Sequence, residues 1–191
     1  MQLLIIDVQN TYLKHCQDLL TKIPEFAKNF SEVIYLFDDI NGEDLHSQIP
    51  EEWLNEEYES FYGSFTVLRK SYAFFRGLMD AGIDDDDDDS SLVKLAQFMR
   101  KHKISDAREI NQDNDSLWKS YQRQFKNTPL QNVDFEDYGF YLPEDLINDL
   151  ETSVRDGVVL VGGGRNECLK EVALLLQVLG TKFTIHEELT Y

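Results

Sequence analysis

Three side chains of the types used in nucleophilic catalysis each close a short apolar run. Asp7 ends "QLLIID", Lys70 ends "SFTVLRK", and Cys168 follows "GVVLVGGGRNE". In an open parallel sheet the carboxyl ends of the strands share one rim, and ligands sit there. A carboxylate, an ammonium and a thiol gathered at that rim suit covalent chemistry. The acid accepts the thiol proton, while the cation stabilises the thiolate and orients the acid. Asn166 is a good N-cap, which predicts Cys168 in the first turn of a helix, where the positive end of the macrodipole lowers a thiol pKa. Adjacent Glu167 opposes that effect, so a net lowering requires Lys70 nearby. The glycines at 162–164 let backbone amides turn toward a developing oxyanion. Taken singly, each residue has a blander and commoner reading: a loop-capping aspartate, a solvated lysine, an inert buried thiol. The case for chemistry is their joint arrival at one rim.

The elements that must position these residues follow from hydrophobic patterning. "QLLIID" and "EVIYLFDD" are unalternated apolar runs, as strands buried on both faces require. "SFTVLRK", "GVVLV" and "KFTIH" read as further strands. Between the first two, Leu13, Cys16, Leu19, Leu20, Ile23 and Phe26 recur at helical spacing, and Cys16 reads as a small core residue in that stripe. "SSLVKLAQFMRKHK" is helical, "ISDAREI" is a candidate edge strand, and "PEDLINDLETSV" is a helix with Pro143 in its first turn. "ECLKEVALLLQVL" is a helix apolar nearly all round, stopped by Gly180. Strands alternating with helices predict an α/β fold: three layers, with a mainly parallel sheet flanked by helices. The chain reads as a single domain, 1–191, with an acidic insertion at about 84–132 that is polar and irregular apart from one helix. Its aspartate run, Asp84 to Asp89, reads as a solvated loop, since calcium loops need alternating ligands, a glycine turn and a distal glutamate.

Composition narrows the partners. The 36 acids outnumber the 18 bases, giving a net charge of −18 that repels nucleic acid and anionic membranes. No apolar run approaches the roughly 20 residues that span a bilayer, and Met1 leads straight into "QLLIID", which predicts a cytoplasmic protein. Two cysteines far apart in sequence make no disulfide framework and read as free thiols.

The chemistry-bearing segments resemble those of the isochorismatase-like cysteine hydrolases. "LLIIDVQNTY" is similar to that family's opening strand and its Asp-x-Gln-Asn, "LRKSYAFFRGLMD" to its lysine segment, and "VVLVGGGRNECLKEVALLLQVLG" to its nucleophile segment. "KFTIHEEL" resembles the strand that follows. The resemblance covers the first forty residues or so, a short middle segment and about the last forty, in the family's order. It implies that Asp7 is the general base, Lys70 its cationic partner and Cys168 the nucleophile. It also implies an oxyanion hole from the amides of Gly164 and Cys168, with a cis peptide between Gly163 and Gly164. Tyr12 and Tyr72 or Phe75 would line the pocket, and Gln9 would support the site. The implied reaction is hydrolysis of a small amide through a thioester, by a homo-oligomer without a cofactor.

The chain departs from the family pattern at several points. Arg165, Asn166 and Glu167 stand where many members carry Thr-Asp. The nicotinamidase-type metal set needs an aspartate and two histidines, whereas "FDDINGEDLHSQIPEEW" offers Asp38, Asp39 and His46, so no metal is expected. Nicotinamide is accordingly not the favoured substrate, and acids after the second strand suit a neutral or cationic amide. A rival alignment places "VDFEDYGFYLPEDLINDL" before the cysteine strand and sets Asp134 where the lysine belongs. Two other readings stand beside the hydrolase: a member of the same fold that has lost catalysis and binds a partner, and a phosphate-binding protein using the glycines as an anion loop. The last lacks both Gly-x-Gly-x-x-Gly and Gly-Lys-Ser/Thr.

Overall fold

The computed structural model describes residues 1–39, 42, 44–54, 59–70, 75, 78, 83, 91–138 and 140–191. The aspartate run at 84–89, Tyr72 and the side chain of His46 lie outside them. Strands β1 (Gln2–Ile6), β2 (Glu32–Asp38), β3 (Thr66–Lys70), β4 (Val158–Gly162) and β5 (Phe183–Ile185) form one parallel sheet, in the order β3-β2-β1-β4-β5. The central strand β1 is buried at every position, as its unbroken apolar run requires. The fold is the expected three-layer α/β class. The longer helices are α1 (Lys22–Ala27), α2 (Ser91–His102), α3 (Asp115–Gln124), α4 (Glu144–Ser153) and α5 (Cys168–Leu179).

The chain divides into two compact units, Met1–Ala73 with Asp145–Tyr191, and Phe74–Glu144. In the first, Leu3, Ile5, Tyr35, Phe37 and Val161 point to one face of the sheet and pack on Cys16, Leu20, Ile23 and Trp53. The alternate residues Leu4, Ile6, Ile34, Leu36 and Leu160 are equally buried. Ile6 lies close to Leu169 of α5, whose apolar body covers that side. The segment expected as one long helix after β1 is instead broken into short turns ending in α1. Pro24 accounts for the last interruption, before α1: it has no N–H for the carbonyl of Leu20, which accepts the buried Trp53 indole at 2.7 Å instead. At the other end of the unit, the Gln2 side chain donates to Ser153 O at 2.8 Å and accepts from Arg155 N at 2.6 Å, tying the exit of α4 to β1. Gly180 ends α5 in the left-handed conformation (φ 72°), as its position after the last apolar residue predicts.

The second unit has its own core. Phe98 of α2 packs edge-on against Tyr121 and Phe125 at 5.8 and 5.7 Å, and the Tyr121 hydroxyl donates to Leu130 O at 2.6 Å. This stretch was expected to be irregular beyond its one helix, but α3 adds a second, capped by the Asn114 side chain. Its polar residues hid the apolar triad Leu117, Tyr121 and Phe125, spaced at four. The "ISDAREI" edge strand is not formed. Asp106 accepts from Arg108 N at 2.9 Å and starts a 3-10 turn, leaving only an isolated bridge to Tyr141.

Candidate active site

Parallel pairing brings the ends of β1, β2 and β3 to one level. Asp38 and Lys70 are direct register partners, and the ladder runs on past the strands: Asp7 N donates to Leu36 O at 2.9 Å and Asp39 N to Lys70 O at 2.7 Å. Asp7 follows β1 with φ at 49°, a left-handed conformation uncommon outside glycine that recurs at functional sites. Its carbonyl accepts the Tyr191 hydroxyl at 3.0 Å, so both backbone polar groups of the strained residue are engaged.

Lys70 is 2% exposed and donates to Asp7 Oδ2 at 2.8 Å. A lysine at a strand end is ordinarily solvated, but this one is enclosed with an ion-pair partner. Burial alone would lower its pKa, yet Asp7, Cys168 and Asp38 together outweigh burial and hold the ammonium above its ordinary range. The Cys168 thiol lies close enough to both members of the pair to feel the charge of each. Asp7 Oδ1 is buried and makes no hydrogen bond among the described residues, which leaves a lone pair to take a proton. The structure therefore brings together the three residues singled out from sequence.

The electrostatics differ from expectation in sign. Burial and the Asp7 carboxylate, only partly offset by Lys70, push the thiol up to about 12. The resting group is a thiol, so attack requires a base. Glu167 rather than Asn166 is the N-cap of α5, and it makes no side-chain capping bond. Asn166 is exposed. Cys168 is nonetheless the first residue of α5.

The glycine turn is built without a cis bond, contrary to expectation: no cis peptide occurs among the described residues. Gly162 and Gly163 reverse the chain through left-handed conformations, with φ at 76° and 60°. A side chain at Gly162 would overlap the Ile6 carbonyl and Val8, and one at Gly163 would crowd the Leu169 amide at 3.1 Å. These two glycines are sterically required, and the third is not. The carbonyl of Gly164 accepts the amides of Glu167 and Leu169 at 3.0 and 3.1 Å. For the amides of Gly164 and Cys168 themselves, no backbone acceptor is found among the described residues.

Gln9 supports the site in a specific way. Its side chain accepts from Asp38 N at 2.8 Å and donates to Asp38 O at 3.0 Å, clamping the end of β2. Tyr12 donates to Asp38 Oδ2 at 3.1 Å, and its phenol is raised by burial and by the Asp38 charge. Phe75 is fully buried and stacks on Phe140 at 5.4 Å within the second unit, so it belongs to that core. Cys16 is buried in the first core, as its stripe implied. Asp134 sits in the second unit, in the loop before a short turn of helix, and caps Glu136 N at 3.0 Å.

Two site residues escaped the sequence reading. Asp38 was weighed as a metal ligand and, with its neighbours, as one of the acids after the second strand flanking the pocket, but not as a member of the rim, although "LFDD" ends β2 at the same rim where "IID" ends β1. Tyr191 carried no signal at all; the backbone of Arg165 bonds its carbonyl at 2.9 Å, and the Arg165 side chain holds Thr190 Oγ1 at 2.7 Å. Among the described residues no group of three His, Cys, Asp or Glu side chains is arranged to hold a metal, and no helix is long and apolar enough to cross a membrane. No family model, curated protein or solved structure matches the chain.

Proposed function

We propose that this chain is an isochorismatase-like cysteine hydrolase that cleaves the C–N bond of a small amide through a thioester on Cys168. The observation that carries the reading is the enclosed Asp7–Lys70 pair, 2.8 Å apart, with the Cys168 thiol alongside. Asp7 is the general base. As Sγ attacks the carbonyl carbon, the thiol proton passes to the Asp7 carboxylate and the carbonyl oxygen becomes an oxyanion facing the Gly164 and Cys168 amides. Collapse breaks the C–N bond, and the nitrogen leaves with the proton from Asp7 as ammonia. Water then attacks the thioester, giving its proton to Asp7. The acid departs, and Sγ recovers the proton. Lys70 keeps Asp7 oriented throughout and offsets the negative charge that develops at sulfur. The proposal includes a small-molecule substrate, a cytoplasmic setting and a homo-oligomeric assembly, and invokes no cofactor.

The test is ammonia release from a panel of small primary amides by the unmodified protein and by Cys168→Ser and Asp7→Asn, with intact-mass detection of an acyl adduct. Release by the unmodified protein alone, with a hydroxylamine-sensitive adduct on Cys168, is the expected result. No ammonia and no adduct from any amide, or release that survives Cys168→Ser, rejects the reading and leaves a binding protein on this fold.

A further inference from the structure

Asp38 has a carboxylate oxygen that the triad does not use. Its Oδ2 accepts the Tyr12 hydroxyl and stands 3.8 Å from Lys70 Nζ, but its Oδ1 is buried with no hydrogen-bond partner among the described residues. The residue is only 7% exposed, and an unpartnered buried carboxylate oxygen forfeits its hydration without return. Lys70 does not supply the missing bond: its ammonium donates to Asp7 at 2.8 Å and approaches Asp38 only on the Oδ2 side, at 3.8 Å. Nor does the side chain float: Gln9 fixes both backbone groups of Asp38.

The charges do not balance either. Among the described residues, Asp7 and Asp38 face one ammonium, and the resting thiol is neutral, so these groups together carry an excess negative charge. Asp39 adds to it, with a second buried Oδ1 that has no partner among the described residues and the exposed Arg69 guanidinium 3.6 Å from its Oδ2. Burial, with Lys70 offsetting it only in part, also holds the Asp38 carboxyl above its usual range.

We infer that Asp38 Oδ1 receives a cationic group of the substrate, so that the amide cleaved at Cys168 carries an amino or guanidino group near its carbonyl and anionic analogues are rejected. The inference rests on the hydrolase reading for the word "cleaved" and on the geometry of Asp38 for the charge preference. The two can be separated by experiment.

A matched set of thiol reagents reads the charge preference directly: aminoethyl, methyl and sulfonatoethyl methanethiosulfonate. Each forms a disulfide with Cys168 and expels methanesulfinate, and each rate is divided by the rate with N-acetylcysteine. The cation should modify Cys168 about tenfold faster than the neutral reagent, a preference of about 1.4 kcal/mol, and the anion should be slowest. Asp38→Asn should collapse the cation-to-neutral ratio toward one, whereas Asp149→Asn, which removes an exposed charge, should leave it. A ratio near one in the unmodified protein, an anion as fast as the cation, or a ratio indifferent to Asp38→Asn overturns the inference. Should Asp38→Asn fail to fold, the three reagents are ranked on the unmodified protein in about 1 M salt, where attraction to the overall charge of −18 is screened, and loss of the cation preference there overturns the inference. Ammonia release without charge preference rejects this inference alone, and charge preference without ammonia release rejects hydrolysis alone.

Discussion

Removing the proposed base should speed one reaction of Cys168 while abolishing another. The thiol titrates at about 12, so at pH 7.5 roughly one molecule in thirty thousand holds a thiolate, each pH unit being a factor of ten. After burial, the largest contributor to that value is the charge of Asp7. A unit charge about 4 Å away at an effective dielectric of about 20 is worth about 4 kcal/mol, or about three pKa units. Asp7→Asn removes it and leaves Lys70 to stabilise the thiolate, so the ionised fraction rises about a thousandfold. Nucleophilicity falls as the pKa falls, with a Brønsted slope of about 0.5, which returns about thirtyfold of that gain. Iodoacetamide labelling of Cys168 at pH 7.5 should therefore accelerate by about thirtyfold in Asp7→Asn, measured by peptide mass spectrometry. Lys70→Met should slow the same labelling. Both variants should lose amide hydrolysis, since neither retains an oriented base to carry the proton to the leaving nitrogen. Slower or unchanged labelling in Asp7→Asn would mean that the carboxylate's charge does not set the ionisation of the thiol, and this electrostatic account of the raised thiol would fall.

Lys70→Met strands the buried Asp7 charge and should cost about 3–5 kcal/mol, whereas Asp7→Asn with Lys70→Met should cost much less than the sum. Urea unfolding followed by Trp53 fluorescence in a Trp118→Phe background measures this, and simple additivity of the two substitutions would count against a buried ion pair. Asp38 binds its proton more tightly folded than unfolded, so its contribution to stability is fullest below its unfolded pKa of about 3.9 and is lost as pH rises through the folded value. The melting temperature of Asp38→Asn relative to the parent should accordingly climb between pH 3 and 7; a flat or falling difference is the contrary result. Gly162→Ala adds a Cβ where Ile6 and Val8 leave no room and where φ is 76°, and should destabilise by more than about 3 kcal/mol. Gly164→Ala meets nothing nearer than 3.5 Å and should be mild, which makes the pair of melting curves diagnostic. Tyr191→Phe removes the donor to the Asp7 carbonyl and should cost about 0.5–1.5 kcal/mol while lowering kcat more than it raises KM.

Much of the molecule was legible in the amino-acid sequence because burial writes a local pattern. The runs "QLLII", "EVIYLFD" and "VVLVG" are apolar on both faces, which only a covered parallel sheet satisfies, and each became a strand. Asp7, Lys70 and Cys168 were found because each lies within a few residues of the end of a strand whose direction the α/β class fixes. What the sequence hid depended on partners distant in the chain. The segment after β1 is interrupted before α1, where Pro24 left the Leu20 carbonyl for an indole at position 53. The second unit's α3 drew its core from aromatic residues too sparse to show a stripe. The thiol was expected to be lowered and is raised, because desolvation and the balance of two opposite charges depend on depth and distance rather than on residue type. Asp38 and Tyr191 entered the site through β2 register and the return of the chain to Asp7, 184 residues away in sequence. Sequence determined which groups stand at the ends of the strands. Only the packed rim decided which of them share a proton, because that is set by separations of a few ångströms and by the exclusion of water.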